Sequence, residues 1–157
     1  LMEKTFAHLE QSCYLRENYS IIDGNPPEIN LLNEKNNGET VLNLINSNLI
    51  SSVHDISSGG LIVALFEMTM GSNYGVKIDK SKNLRNLTEY FFGEDQGRYI
   101  LEISQKNFPK VEKILKSANI FFENIGITQK DYFEIEGQMK IDINDLFKIN
   151  NEWYNNF

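Results

Sequence analysis

A chain of 157 residues with 41% apolar side chains is long enough for one domain around one core, and its formal charge of −7 argues against a nucleic-acid surface, since no Lys/Arg run is present to hold a phosphate backbone. The longest apolar stretch, Leu61 to Met70, contains Glu67 and is too short to cross a bilayer, and the N-terminus lacks the basic-then-apolar layout of a signal peptide. The single Cys13 cannot form an internal disulfide and no clustered His or Cys marks a zinc site, so a cytoplasmic setting is expected, with neither membrane nor nucleic acid as partner.

In chain order, residues 1 to 20 carry Phe6, Leu9, Tyr14 and Leu15 and are expected to be partly helical; no initiating methionine opens them, so the start reads as the middle of a longer sequence. Asp23-Gly24-Asn25-Pro26-Pro27 is a turn or extended loop, because proline lacks an N–H and biases its predecessor away from helix. Leu31, Val41, Leu42, Leu44, Ile45 and Leu49 suit a helix from about Asn36 onward. Ile50 to Ile56 reads as a strand, Gly59 to Met70 as a helix buried on several sides, and Gly71 as its C-cap. Tyr74 to Asp79 alternates as a half-buried strand, and the polar Lys80 to Leu87 connection is expected to be exposed.

Arg98 to Ser104 is the clearest strand, with Tyr99, Leu101 and Ile103 on one face. Phe108, Val111, Leu115 and Ala118 then form one helical stripe behind an N-cap at Asn107. Ile120 to Ile127, Tyr132 to Glu136 and Met139 to Ile143 read as strands, the last two joined by a Glu136-Gly137-Gln138 hairpin turn. Leu146, Ile149, Trp153 and Phe157 share one side of a terminal helix. This order predicts an α+β fold with a mixed, mainly antiparallel sheet and helices packed on one face.

The run Val53-His54-Asp55-Ile56-Ser57-Ser58-Gly59-Gly60-Leu61 leads a strand through a small-residue turn into an apolar helix. Glycines let a ligand approach the backbone, and the first amides of a helix lack intrahelical partners, so the turn suits a phosphate or carboxylate. The same residues equally describe a tight corner with Ser57 or Ser58 as N-cap. His54 and Asp55 are strand neighbours pointing to opposite faces, which argues against a shared catalytic role; no catalytic residue is assigned. In Phe92-Gly93-Glu94-Asp95-Gln96-Gly97-Arg98, the two acids offer oxygen ligands for Mg²⁺; alternatively one of them caps a turn and Arg98 pairs with it. No metal ligand is assigned there, and Arg98 is a candidate phosphate partner through its planar fork.

Ser12-Cys13-Tyr14-Leu15, Gly24-Asn25-Pro26-Pro27-Glu28-Ile29, His54 to Leu61 and Phe92 to Tyr99 together resemble the C-terminal end of the phosphoribosylformylglycinamidine synthase family, the synthetase subunits of formylglycinamide ribonucleotide amidotransferase, from about Gln11 to the Trp153 region. Ser58 stands where that family commonly has aspartate. The resemblance implies the C-terminal domain of the aminoimidazole ribonucleotide synthetase superfamily, which also holds selenophosphate synthetase, thiamine-monophosphate kinase and a hydrogenase maturation protein. It further implies that residues 1–35 connect from a preceding domain and that 36–157 form the domain itself.

The activity implied is ATP-dependent conversion of formylglycinamide ribonucleotide to its amidine in purine biosynthesis, with ammonia supplied from glutamine. ATP and Mg²⁺ would be bound mainly outside this chain. The partners implied are the remaining synthetase domains, a glutaminase subunit, a small accessory subunit and a phosphorylated nucleotide. Ser57, Ser58, Gly59, Gly60 and Arg98 are the expected phosphate-binding residues, with His54, Asp55, Glu94, Asp95 and Gln96 at the cleft rim. The alternatives are a non-catalytic structural module of the same subunit, or a superfamily relative such as selenophosphate synthetase or thiamine-monophosphate kinase.

Overall fold

The computed structural model describes residues 1–79 and 86–155, with side chains described as far as Trp153. The chain forms two compact units where length alone points to one: unit 1 comprises Leu1–Ala64 and Asn86–Glu123, and unit 2 comprises Leu65–Arg85 and Asn124–Phe157. Most of the Lys80 to Leu87 connection, and Phe157, lie outside the described residues. The α+β class holds in each unit.

In unit 1, β1 (Ser52–Asp55) pairs antiparallel with β3 (Tyr99–Glu102), placing Val53 opposite Leu101 and His54 opposite Ile100. The face bearing Val53, Tyr99 and Leu101 packs against a cluster that includes Val41 and Leu44 from α2 (Leu31–Asn46) and Val111 and Leu115 from α5 (Phe108–Ser117). Met2 joins this cluster and bridges Tyr99 and Phe122, so the first residues extend the sheet. The opposite face is not a solvent face, because Ile100 is also buried; alternation alone conceals a strand covered on both sides.

Helix α2 begins five residues before its apolar stripe predicts. Asn30 Oδ1 accepts from the amides of Leu32 and Asn33, so a side-chain cap starts the helix although Leu31 and Leu32 are exposed. Asn107 sits at the N-cap position of α5 but makes no capping bond; its Nδ2 donates to Leu49 O at 3.1 Å, and Ser104 Oγ accepts from the Asn107 amide. Two short helices complete the unit, α1 (Cys13–Tyr19) capped by Ser12 and α4 (Leu87–Phe92) capped by Asn86. Tyr14 of α1 stacks on Phe92 of α4 with ring centroids 4.5 Å apart. Helix α3 (Gly60–Thr69) begins in unit 1, runs into unit 2 and is followed by Gly71 at φ +76°.

Unit 2 holds a four-stranded sheet in the order β4 (Gly126–Lys130), β2 (Tyr74–Ile78), β5 (Tyr132–Ile135), β6 (Met139–Asp142). Pairing is antiparallel except between β2 and β5. The segment from Ile120 forms only a bridge at Phe122, and strand pairing begins at Gly126. Val76, Ile78, Phe133 and Ile135 are buried on one face, whereas Lys77, Glu134 and Lys140 lie in register across the other. Glu134 is 3.5 Å from Lys77 Nζ and 3.7 Å from Lys140 Nζ, a charge ladder that suits a wet face. The terminal helix α6 (Ile143–Asn155) follows directly, with Ile143 buried, Phe147 against Phe66, and Ile149 and Trp153 exposed.

Candidate functional site

All the candidate site residues belong to unit 1 and come from two segments: the end of β1 with its glycine turn, and the loop that joins α4 to β3. The two are tied by backbone, since Ile56 N–H donates to Arg98 O at 2.9 Å. Ser57 and Ser58 are exposed, whereas Gly59 and Gly60 are buried. Gly60 is required on two counts. Its φ is +73°, and a Cβ there would lie 2.7 Å from Phe91 O and 2.8 Å from Gly93 O, so the turn presses directly on the backbone that ends α4.

Two amides of that turn are already engaged. Gly60 N–H donates to Ser57 O, and Gly59 N–H donates to Glu94 Oε1 at 2.8 Å. The same Glu94 oxygen accepts from Cys13 N–H at 2.8 Å, at the start of α1. A carboxylate oxygen has lone pairs for both donors, and these short contacts are charge-assisted. Glu94 therefore occupies, from within the chain, the buried Gly59 amide of the turn.

Asp95 plays a second such part. Its Oδ2 accepts from Thr5 Oγ1 at 2.8 Å and from the amides of Phe6 and Ala7, and Oδ1 accepts from the His8 amide at 3.3 Å. Ala7 adopts φ +64°, which turns successive N–H groups into a concavity around the carboxylate. His8 is held further by Glu94 N–H donating to its carbonyl and by contact of Nε2 with Asn25 O at 2.9 Å. Adjacent acids thus face different partners, as neighbouring side chains must.

Arg98 is 1% exposed. Its Nη1 donates to Gly93 O at 3.4 Å and lies 3.7 Å from Asp95 Oδ2, while Nε and Nη2 are buried with no hydrogen-bond partner among the described residues. Burial pulls its pKa below the ordinary value, opposed by Asp95, Tyr90 and Glu123. The guanidinium supports the loop from beneath and is not presented to solvent. Gln96 is exposed, with Nε2 donating to Glu94 O, and Asp55 is exposed with His54 Nδ1 2.6 Å from its carbonyl. Asp55 lies opposite Tyr99 and His54 opposite Ile100, so the pair does divide between the two faces of the sheet.

Two residues that sequence reasoning missed complete the arrangement. Thr5 supplies a hydroxyl to Asp95, and Asn37, fully buried, donates from Nδ2 to Gly97 O at 3.0 Å and to Glu3 Oε2 at 3.2 Å. The available signal was a polar residue inside an apolar stripe: Asn37 and Thr40 share the buried face of α2 with Val41 and Leu44. A Mg²⁺ ion does not fit this loop as it stands, because both carboxylates are committed to N–H and O–H donors and no group of three or more His, Cys, Asp or Glu converges among the described residues.

Residues 8–136 match the model of the family described as AIR synthase related protein, C-terminal domain. The chain is 46% identical over 98% of its length to phosphoribosylformylglycinamidine synthase subunit PurL of Pelagibacter ubique, and 35% identical over 98% to that of Rhodopseudomonas palustris strain HaA2. It spans about a fifth of the length of these curated relatives, covering 21% of each. Its fold is similar to that of Thermotoga maritima PurL complexed with FGAR, at TM-score 0.62 and 17% identity over 72% of this chain and 20% of that one. The Thermotoga maritima phosphoribosylformylglycinamidine synthase II structure gives TM-score 0.65 at 16% identity, over 75% of this chain and 22% of that one. No helix among the described residues is long and apolar enough to cross a membrane.

Proposed function

The chain belongs to the AIR synthase related C-terminal domain family, and on that premise we propose that it is the last domain of a phosphoribosylformylglycinamidine synthase, an ATP-dependent carbon–nitrogen ligase of purine biosynthesis. The observation that carries this is the 46% identity, over 98% of the chain, to a protein of that name. In the proposed reaction, ATP phosphorylates the glycinamide carbonyl oxygen of formylglycinamide ribonucleotide and leaves as ADP, ammonia attacks the activated carbon, and phosphate leaves with the oxygen to give the amidine. Positioning and charge stabilisation carry such steps. ATP and its Mg²⁺ are bound chiefly by parts of the enzyme outside these 157 residues, consistent with the commitment of Glu94 and Asp95 to internal donors. A glutaminase subunit delivers the ammonia, an accessory subunit completes the assembly, and the enzyme works in the cytoplasm. The family match begins at residue 8, so the segment before residue 36 is read as part of the family domain and not as a connection to a preceding one.

Within this chain the exposed Ser57 and Ser58, at the turn that opens α3, face a phosphorylated nucleotide. Gly59, Gly60, Glu94, Asp95 and Arg98 build the turn behind them, with His54, Asp55 and Gln96 along its rim. The seating of Glu94 on Gly59 N–H supports a second reading, in which the domain is a non-catalytic packing module of the same subunit.

A domain exchange tests the enzyme assignment. With these residues in place of the matching fifth of the Pelagibacter ubique subunit, ATP- and ammonium-dependent amidination of formylglycinamide ribonucleotide is expected to persist. A folded but inactive chimera counts against it. Calorimetric titration of the chain with inorganic phosphate and Mg-ATP separates the two readings of the turn, because a packing module binds neither.

A further inference from the structure

We propose that the segment from Ile21 to Leu32 is a docking surface for an adjoining domain of the same polypeptide, one that presents an apolar face edged by Lys or Arg. The inference rests on the reading of this chain as one domain of a longer synthase subunit. Ile21, Ile22, Ile29, Leu31 and Leu32 all stand in solvent, the last four at 61–81% exposure. Single exposed apolar residues are ordinary, whereas a run of them within one short segment marks a contact surface.

The backbone beneath these side chains is held in place. Gln11 N–H donates to Asp23 O at 3.3 Å, and Gln11 Nε2 donates to Gly24 O at 3.0 Å. Asn25 N–H donates to Glu10 Oε2 at 2.7 Å, and His8 Nε2 meets Asn25 O. Pro26 and Pro27 restrict φ, and the Asn30 cap fixes Leu31 and Leu32 in the first turn of α2. A segment that is anchored yet buries none of its isoleucines or leucines has already lost the backbone entropy that docking would otherwise cost.

The length of the relatives and the charge of the segment select the occupant. The family is named for a C-terminal domain, and the chain covers 21% of the Pelagibacter ubique and Rhodopseudomonas palustris relatives, so most of each relative lies outside the matched part. A domain on the same polypeptide meets the surface at high effective concentration, so a short strip suffices to hold it. Asp23 and Glu28 lie within the segment, while the nearest cations in sequence, Arg16 and Lys35, are already paired with Glu17 and Glu39. Basic side chains at the edge of the partner face complement those acids. A second copy of this chain does not, because it brings the same acids and a net charge of −7.

Hydroxyl-radical footprinting read by mass spectrometry tests this, comparing the chain alone with the chimera in which these residues replace the matching fifth of the Pelagibacter ubique subunit. Ile22, Ile29, Leu31 and Leu32 are expected to oxidise roughly fivefold more slowly in the chimera, as exposed side chains pass into the buried core of an interface. Leu31→Lys combined with Leu32→Lys is expected to leave the urea midpoint of the chain alone unchanged and to restore fast oxidation of Ile22 and Ile29 in the chimera. Equal oxidation rates in the chain and the folded chimera overturn the proposal, as does protection that survives both lysines. A lowered midpoint in the chain alone overturns it too, since the leucines then serve the domain's own core. Protection in the chain alone that grows with its concentration overturns it by identifying a second copy as the occupant. If the chimera does not fold, the aligned segment of the intact Pelagibacter ubique subunit is footprinted instead, and fast oxidation of its aliphatic side chains overturns the proposal. A chimera that protects the segment but lacks amidination activity overturns the enzyme assignment and leaves the docking surface standing; an active chimera with the segment exposed does the reverse.

Discussion

Asp95→Ala is expected to be among the most damaging single substitutions in unit 1. Asp95 is 4% exposed, and its carboxylate receives Thr5 Oγ1 and the amides of Phe6, Ala7 and His8 at 2.8 to 3.3 Å while standing 3.7 Å from the buried Arg98. Alanine leaves Thr5 Oγ1 and the amides of Phe6 and His8 without their acceptor, the Ala7 amide with only Thr5 Oγ1 at 3.3 Å, and the Arg98 guanidinium without the Asp95 carboxylate. Breaking a buried ion pair from one side costs about 3–5 kcal/mol, and the stranded amides are partly included in that figure because contacts sharing one carboxylate are not additive. Against a typical stability of about 5–15 kcal/mol the loss is a large fraction, and it corresponds to a fall in Tm of roughly 10 °C for a chain of this size. Urea denaturation followed by far-UV circular dichroism reads it directly. Arg98→Met on the Asp95→Ala background removes the stranded charge and is expected to recover part of the loss. A cost below about 1 kcal/mol for Asp95→Ala, or strictly additive effects of the two substitutions, refutes the view that the pair and the amide concavity act as one unit.

Three further outcomes follow from the same geometry. Gly60→Ala is expected to cost about 3 kcal/mol, combining left-handed strain with the Cβ contacts to Phe91 O and Gly93 O, whereas Gly71→Ala, at φ +76° with nothing within 4 Å, should cost only about 1 kcal/mol; equal losses in chemical denaturation would remove the close approach as an explanation. Burial, then the nearby Glu123 carboxylate and the hydrogen bond to it, push the Tyr90 phenol well above its ordinary value of about 10, so the folded state keeps a proton that the unfolded chain loses. Stability is therefore full below about pH 10 and declines as pH rises above it; Tyr90→Phe should show a shallower alkaline decline, and an unchanged pH profile would argue against the assignment. Asn30→Ala should lose about 1 kcal/mol together with helical signal at the start of α2, while Asn107→Ala should lose a similar amount with α5 intact, because its side chain serves Leu49 O; hydrogen exchange resolved by residue distinguishes them.

Periodicity carried the fold a long way. The α5 stripe, the β2 alternation and the Glu136-Gly137-Gln138 turn depend on neighbours a few residues apart, and they stand where local pattern puts them. What pattern missed lies at longer range. Helix α2 starts on the Asn30 cap and not on its stripe, and the burial of Ile100 depends on what covers the second face of a two-stranded sheet. The pairing of Arg98 with Asp95 was legible, since the two are three residues apart; that Asp95 also gathers Thr5, 90 positions away, was not. Nor does any local rule place the Glu94 carboxylate on the amides of Gly59 and Cys13. The chemistry of the turn was readable as an affinity for anions, while the identity of the anion seated there required the tertiary fold.

The order of strands in unit 2 bears on how the molecule is made. Strand β2 lies between β4 and β5, so both of its edges wait for residues that leave the ribosome about 50 positions later, at roughly 5–20 residues per second. For several seconds a nascent strand bearing Val76 and Ile78 has neither neighbour, while the intervening residues 86–123 complete the other unit. Through that interval both edges of the strand are open to pairing with another copy of the chain, and its length is set by the rate of synthesis and not by equilibrium stability.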